Sequence, residues 1–116
     1  MTTNSLQQYL EITTTVDLVI VNEGNYFIAY CPALELSVNA PTVEKVQDNF
    51  KQEAKIFLEE INNRGTLEKY LLKNGWSLKQ FPDFKYEPPR LNTNIISNLL
   101  KSSEKVIPID VTININ

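Results

Sequence analysis

The stretch "FIAYCPALELSVNAPT", Phe27 to Thr42, decides how the chain folds, because it holds the end of one strand, a second strand and the start of a helix. Tyr26 to Cys31 alternates as a strand does, and Pro32, which has no N–H to donate, breaks sheet pairing there. "LELSVN" then resumes the alternation, with Leu34, Leu36 and Val38 on one face against Glu35, Ser37 and Asn39. This predicts a third strand with one buried face. Thr42 is a good N-cap, and Glu44 puts a carboxylate in the first turn, where the helix dipole favours it. A helix is expected from about Val43.

Upstream, "EITTTVDLVIV" places Ile12, Thr14, Val16, Leu18 and Ile20 on one face, and the residues after Glu11 are almost all β-branched. It predicts a long first strand. "NEGN", Asn22 to Asn25, offers residues that tolerate positive φ, so a hairpin joins this strand to the next. Downstream, Val43, Val46, Phe50, Ala54, Phe57, Leu58 and Ile61 fall within an arc of roughly 120° on a helix, with most charges facing away. That helix packs one face on the sheet. Gly65 stops it after Arg64, and Thr66 caps a short second helix, "LEKYLLKNG", closed by Gly75.

"SLKQFPDFKYEPPR" carries three prolines and reads as extended loop with a short edge strand at most. "NTNIISNLLKSS" spaces Ile95, Ile96, Leu99 and Leu100 as a brief amphipathic helix. In "KVIPIDVTININ" every odd position from Ile107 to Ile115 is branched and apolar, which predicts a half-buried terminal strand. The reading is a single α+β domain spanning residues 1–116: a core over about 8–75, a loop-rich segment over 76–103 and a strand over 104–115. The core is a three-stranded antiparallel sheet in the order β-β-β-α-α, with one main helix on one face and the C-terminal strand exchanged between subunits or added to its own sheet.

The 116 residues suffice for one core, with roughly two-thirds of the unfolded surface buried on folding. The chain has no histidine and one cysteine, so Ser-His-Asp and Cys-His catalysis lack their base and a structural zinc lacks its ligands. No metal, cofactor or catalytic residue is expected. A net charge of −3 argues against gripping nucleic acid directly. No apolar run spans a bilayer, and "MTTNSLQQYLEITTT" lacks the basic and apolar parts of a signal peptide, so a cytoplasmic protein is expected.

Tyr26, Phe27, Ala29, Pro32 and Leu34, followed by Thr42, Glu44 and Asn49, set out an aromatic-x-Ala-x-x-Pro strand, a return strand and a Thr-capped acidic helix. With these residues the segment Gly24 to Glu60 resembles the HicB-like antitoxins of bacterial toxin–antitoxin pairs and their stand-alone relatives; the likeness fades through "RGTLEKYLLKNGW". The resemblance implies a partial RNase H-like core that acts by protein–protein contact. It also implies, where a toxin exists, a small basic RNase neutralised by steric and electrostatic cover; otherwise it implies a stand-alone homo-oligomer. The chain departs from the family at Ala40-Pro41, where the turn is usually Gly-Asp, and in a tail without a helix-turn-helix or ribbon-helix-helix pattern.

An RNase H-like nuclease would need converging carboxylates, and Asp17 with Glu44 or Glu53 are the candidates. No third acid follows at suitable spacing, and Asp17 alternates with Thr13 and Thr15 as a solvent-facing residue would. Cys31 lacks a histidine and any sequence-local cation, and reads as a small buried residue at a strand end. Ile56 falls opposite the buried stripe beside Glu59, an acidic helix face suited to a basic partner. Ile107, Ile109, Val111 and Ile113 on the terminal strand complete the candidate interface, through which a dimer is expected.

Overall fold

The computed structural model describes residues 10–79, 85–91 and 104–115. Its elements are β1 (Leu10–Asn22), β2 (Phe27–Cys31), β3 (Leu36–Ala40), α1 (Val43–Asn63), α2 (Leu67–Lys73), β4 (Ser77–Lys79), β5 (Lys85–Glu87) and β6 (Glu104–Ile115). A four-stranded sheet has the order β3-β2-β1-β6, antiparallel throughout, and β4 with β5 forms a separate two-stranded ribbon. Helix α1 lies against β2, β3 and β6, giving an α+β architecture of sheet and helix layers.

The local signals act as their chemistry requires. Gly24 takes φ +91° in the β1–β2 turn, where its amide donates to the Asn22 side chain and the Glu23 amide donates to the Tyr26 carbonyl. Thr42 Oγ1 accepts from the Lys45 amide and opens α1. Gly65, at φ +75°, closes it: its amide donates to the Asn62 carbonyl and the Thr66 amide to Ile61, the paired bonds of a Schellman motif. Gly75 and Trp76 repeat the device on α2. The turn between β3 and α1 needs no left-handed residue; Ala40 stays in the strand, and Asn49 Nδ2 donates to the Asn39 carbonyl beside the turn.

The hydrogen-bond parity of β1 fixes much else. Because Glu23 bonds to Tyr26 across the hairpin, the odd residues of β1 direct their N–H and C=O groups toward β2, as at Val19↔Tyr30 and Val21↔Ile28. Its even residues therefore bond to β6. Asp17↔Pro108 is an odd pair, so Pro108 removes no bond from the β1–β6 ladder, and the pairing runs through it from Leu10↔Ile115 to Val21↔Glu104 without a bulge. Side chains sit close in such pairs, and Thr15 Oγ1 donates to Asp110 at 2.6 Å.

The helix-facing side of the sheet carries Ile12, Val16, Leu18, Ile20, Ala29, Cys31, Ile109, Val111 and Ile113, which bury with Val46, Phe50, Ala54, Leu58 and Ile61 of α1. Phe57 meets Tyr70 of α2 edge-on, with ring centroids 4.9 Å apart. Two expectations are corrected and one alternative is decided. The third strand begins at Leu36, because Leu34 is buried inside a turn closed by its own amide bonding to the Cys31 carbonyl. The segment after Trp76 holds two short strands, pinned by buried Trp76 and Tyr86. The terminal strand is the fourth strand of its own sheet, since β1 offers it a full-length edge and an apolar face in matching register. The expected helix over "NTNIISNLLKSS" lies outside the described residues.

Phe50 is fully buried and Ile56 is 58% exposed on the same helix. Phe50→Ala is expected to lower unfolding stability by about 4 kcal/mol in urea titrations, and Ile56→Ala to change it by under about 0.5 kcal/mol.

Candidate functional site

The ionised group that the fold treats most specially is Asp17. It stands on the outer face of β1, away from α1, yet is only 7% exposed. By register Pro108 lies beside it on β6, and carrying the β1–β2 register two places past Val19↔Tyr30 sets Pro32 on its other side. Pro89 also lines the small cavity, about 80 Å³, that Asp17 shares with Ala33, Arg90 and Leu91. Prolines supply no N–H donor. The carboxylate is satisfied from above instead: Arg90 Nε donates to Oδ2 at 3.0 Å, Arg90 Nη2 to Oδ1 at 2.9 Å, and the Leu91 amide to Oδ2 at 3.0 Å.

This bidentate clamp ties the strap after β5 to the sheet. The Arg90 hydrogen bonds hold the Asp17 carboxyl below its usual range, outweighing the opposing effect of burial, with the Leu91 amide helping. Asp17 does share its face with Thr13 and Thr15, as its alternation predicts, but the strap removes it from solvent. The aspartate's position in the strand was legible; Arg90, separated by 73 residues, left no local signal beyond the stiff Pro88-Pro89 step before it.

Beside the clamp lies a polar cleft of about 310 Å³, bounded by Thr13, Thr14 and Thr15 of β1 and by Lys85, Glu87, Pro88 and Arg90. Glu87 pairs with Lys79 at 2.7 Å. The cleft mixes hydroxyls with both signs of charge. No group of three or more metal-ligating side chains occurs among the described residues.

The corner after β2 is held from α2 and its cap region. Tyr70 Oη donates to the Leu34 carbonyl at 2.6 Å and Trp76 Nε1 to the Ala33 carbonyl at 2.7 Å, while Glu35 takes a left-handed φ of +53°. Cys31 is fully buried below, and that burial pushes its thiol up to about 11. At neutral pH it is a packed thiol, not a nucleophile.

The residues expected to form an interface divide between two places. Ile56 is exposed on the outer side of α1, with Glu59 half-buried next to it. Ile109, Val111 and Ile113 lie in the chain's own core and Ile107 packs partly against it, so their side chains serve this sheet and are not offered to a second subunit. Among the described residues no strand pairs with the outer backbone edge of β6. A further surface was missed: Val19, Val21, Ile28 and Val106 lie half-buried on the outer face near exposed Tyr30. Its signal was the unbroken "LVIV", Leu18 to Val21, apolar on both strand faces.

Arg90→Ala leaves a buried carboxylate without its cation and is expected to cost about 2 kcal/mol in urea titrations. Because folding lowers the Asp17 pKa, its contribution is full above the unfolded value near 4 and is lost as pH falls through the folded value. The stability gap between wild type and Asp17→Asn should accordingly be constant above about pH 5 and close in acid. Cys31 should resist thiol reagents at pH 8 until denaturant is added, as read by mass spectrometry. No protein-family model matches this sequence, and neither a curated protein nor a solved structure is significantly similar to the chain.

Proposed function

We propose that the chain is a non-catalytic protein of the HicB-like antitoxin type that works by binding another protein. The observation that carries this reading is the state of Asp17. The carboxylate that a two-metal nuclease would need first is closed beneath Arg90 and the Leu91 amide, and it stands apart from Glu44 and Glu53, which are exposed on α1. The order of three antiparallel strands followed by a Thr42-capped helix agrees with what the resemblance of Gly24 to Glu60 implies.

The partner is a small basic RNase, met by the exposed face of α1. Ile56 is the apolar anchor of that face, with Glu59 beside it and Glu60 paired to Arg64. Burying one such apolar residue at the centre of a contact accounts for about 1–2 kcal/mol, and the acids steer a basic partner toward it. A stand-alone homo-oligomer is the second reading, favoured by an outer edge of β6 that no strand pairs with among the described residues.

Co-purification with the product of the neighbouring reading frame tests the first reading when that frame encodes a short basic chain. Wild type should bind and silence its RNase activity, and Ile56→Asp should weaken binding at least about tenfold without changing the melting temperature. A neighbour that is neither basic nor bound sinks the antitoxin reading. RNA cleavage that requires a divalent metal and disappears in Asp17→Asn would replace it with a nuclease.

A further inference from the structure

The two outer edges of the four-stranded sheet are unlike. β3 is a five-residue strand that passes directly into the turn before α1. β6 is twelve residues long, pairs with β1 along one side, and has no strand on its other side among the described residues. A long unpaired edge is a template for another strand unless something interrupts it.

The parity established for β1 says which groups that edge presents. Odd residues of β1 bond to β2, so odd-pair partners on β6, the even residues, turn their backbone groups outward. Pro108 is one of them, and it lacks the outward N–H. C-terminal to it the edge is intact: Asp110, Thr112 and Asn114 each present an N–H and a C=O on the same side.

We propose that this C-terminal half of the β6 edge pairs antiparallel with the same edge of a second copy, about a two-fold axis at Thr112, joining two sheets into one. The register follows from Pro108 and Asp110. An axis at Asp110 sets two carboxylates directly opposite and brings Pro108 against Thr112 of the second copy, losing a donor. An axis at Ile109 or Val111 also places Pro108 inside the ladder. An axis at Thr112 sets Thr112 opposite itself, a favourable cross-strand pair, and Asp110 opposite Asn114, with no like charges facing. The inward side chains Ile109, Val111 and Ile113 stay in each copy's own core, so the seam is made by the backbone edge and the outer-face residues. A second copy suits this edge better than an unrelated peptide because an isologous contact needs each strand to complement itself, and this register does.

The dimer needs no toxin, so failure to bind a basic neighbour leaves it standing. Sedimentation velocity over a concentration series should show full-length protein as a dimer that dissociates on dilution. Thr112→Lys places two ammonium groups opposite each other and should raise the dissociation constant by at least about tenfold with an unchanged far-UV spectrum. Directly opposed residues in such a ladder have Cα atoms about 5.5 Å apart, within disulfide reach. Since Cys31 is buried, Thr112→Cys should give a covalent dimer on mild oxidation, and Glu53→Cys on the exposed side of α1 should not. Monomer at every concentration, a dimer indifferent to Thr112→Lys, or a dimer that Thr112→Cys fails to cross-link would each overturn the proposal.

Discussion

The pairing of β1 with both of its neighbours is the constraint from which the other features descend. A central antiparallel strand must divide its backbone groups between two partners by parity, and its side chains between two faces by the same parity. Here one hairpin bond, Glu23 to Tyr26, sets the whole assignment. It puts the even, apolar residues of β1 under α1 and on the ladder with β6, and the odd residues on the outer face and the ladder with β2. A slip of one residue would bury Thr13, Thr15 and Asp17 under the helix and expose Val16 and Leu18. Register is therefore defended by several kcal/mol of apolar burial.

That parity also explains why two prolines can stand on either side of Asp17. Pro32 lies where β2 would need to donate, and there β2 ends; Pro108 lies where β6 need not donate, and there β6 continues. The same residue type thus terminates one strand and passes unnoticed through another. Asp17 is left in a niche whose walls offer no donors. A carboxylate buried in such a place must either be protonated or be met by charge, and Arg90 meets it with two parallel bonds. A guanidinium fork fits one orientation, so the strap that carries it docks in one place, and Pro88-Pro89 limits how it can approach.

What could be read from the residues was what depends on near neighbours. Thr42 caps because its oxygen reaches an amide three residues on, Gly65 stops a helix because it alone accepts a left-handed φ cheaply, and the odd positions of β6 show their period without help. The apolar stripe of α1 placed Val46, Phe50, Ala54, Leu58 and Ile61 correctly in the core. The failures share a cause. Leu34 alternates in step with Leu36, but the turn that buries it is held by Tyr70 and Trp76 from a distant part of the chain. The burial of Asp17 depends on Arg90, and the ribbon of β4 and β5 exists because Trp76 and Tyr86 bury. Periodicity carries no record of such partners.

The C-terminal strand shows how far pattern and partner can diverge. Its apolar row demanded burial, and two sheets could equally have provided it: its own or a neighbour's. The intrachain solution wins because β1 presents, on the side opposite β2, an edge of matching length and an inner face of matching character, and an intramolecular strand pays no association entropy. Satisfying the side chains, however, does not satisfy the strand. Only the odd residues of β6 turn their backbone groups toward β1, so once the apolar face is closed, half of its donors and acceptors still point outward. Pro108 removes a donor from the middle of that outward row without weakening the inner ladder, which makes the row discontinuous and confines any further pairing to the part beyond it. The side chains thus decide where the strand packs, and a single missing N–H decides where its remaining edge can be met.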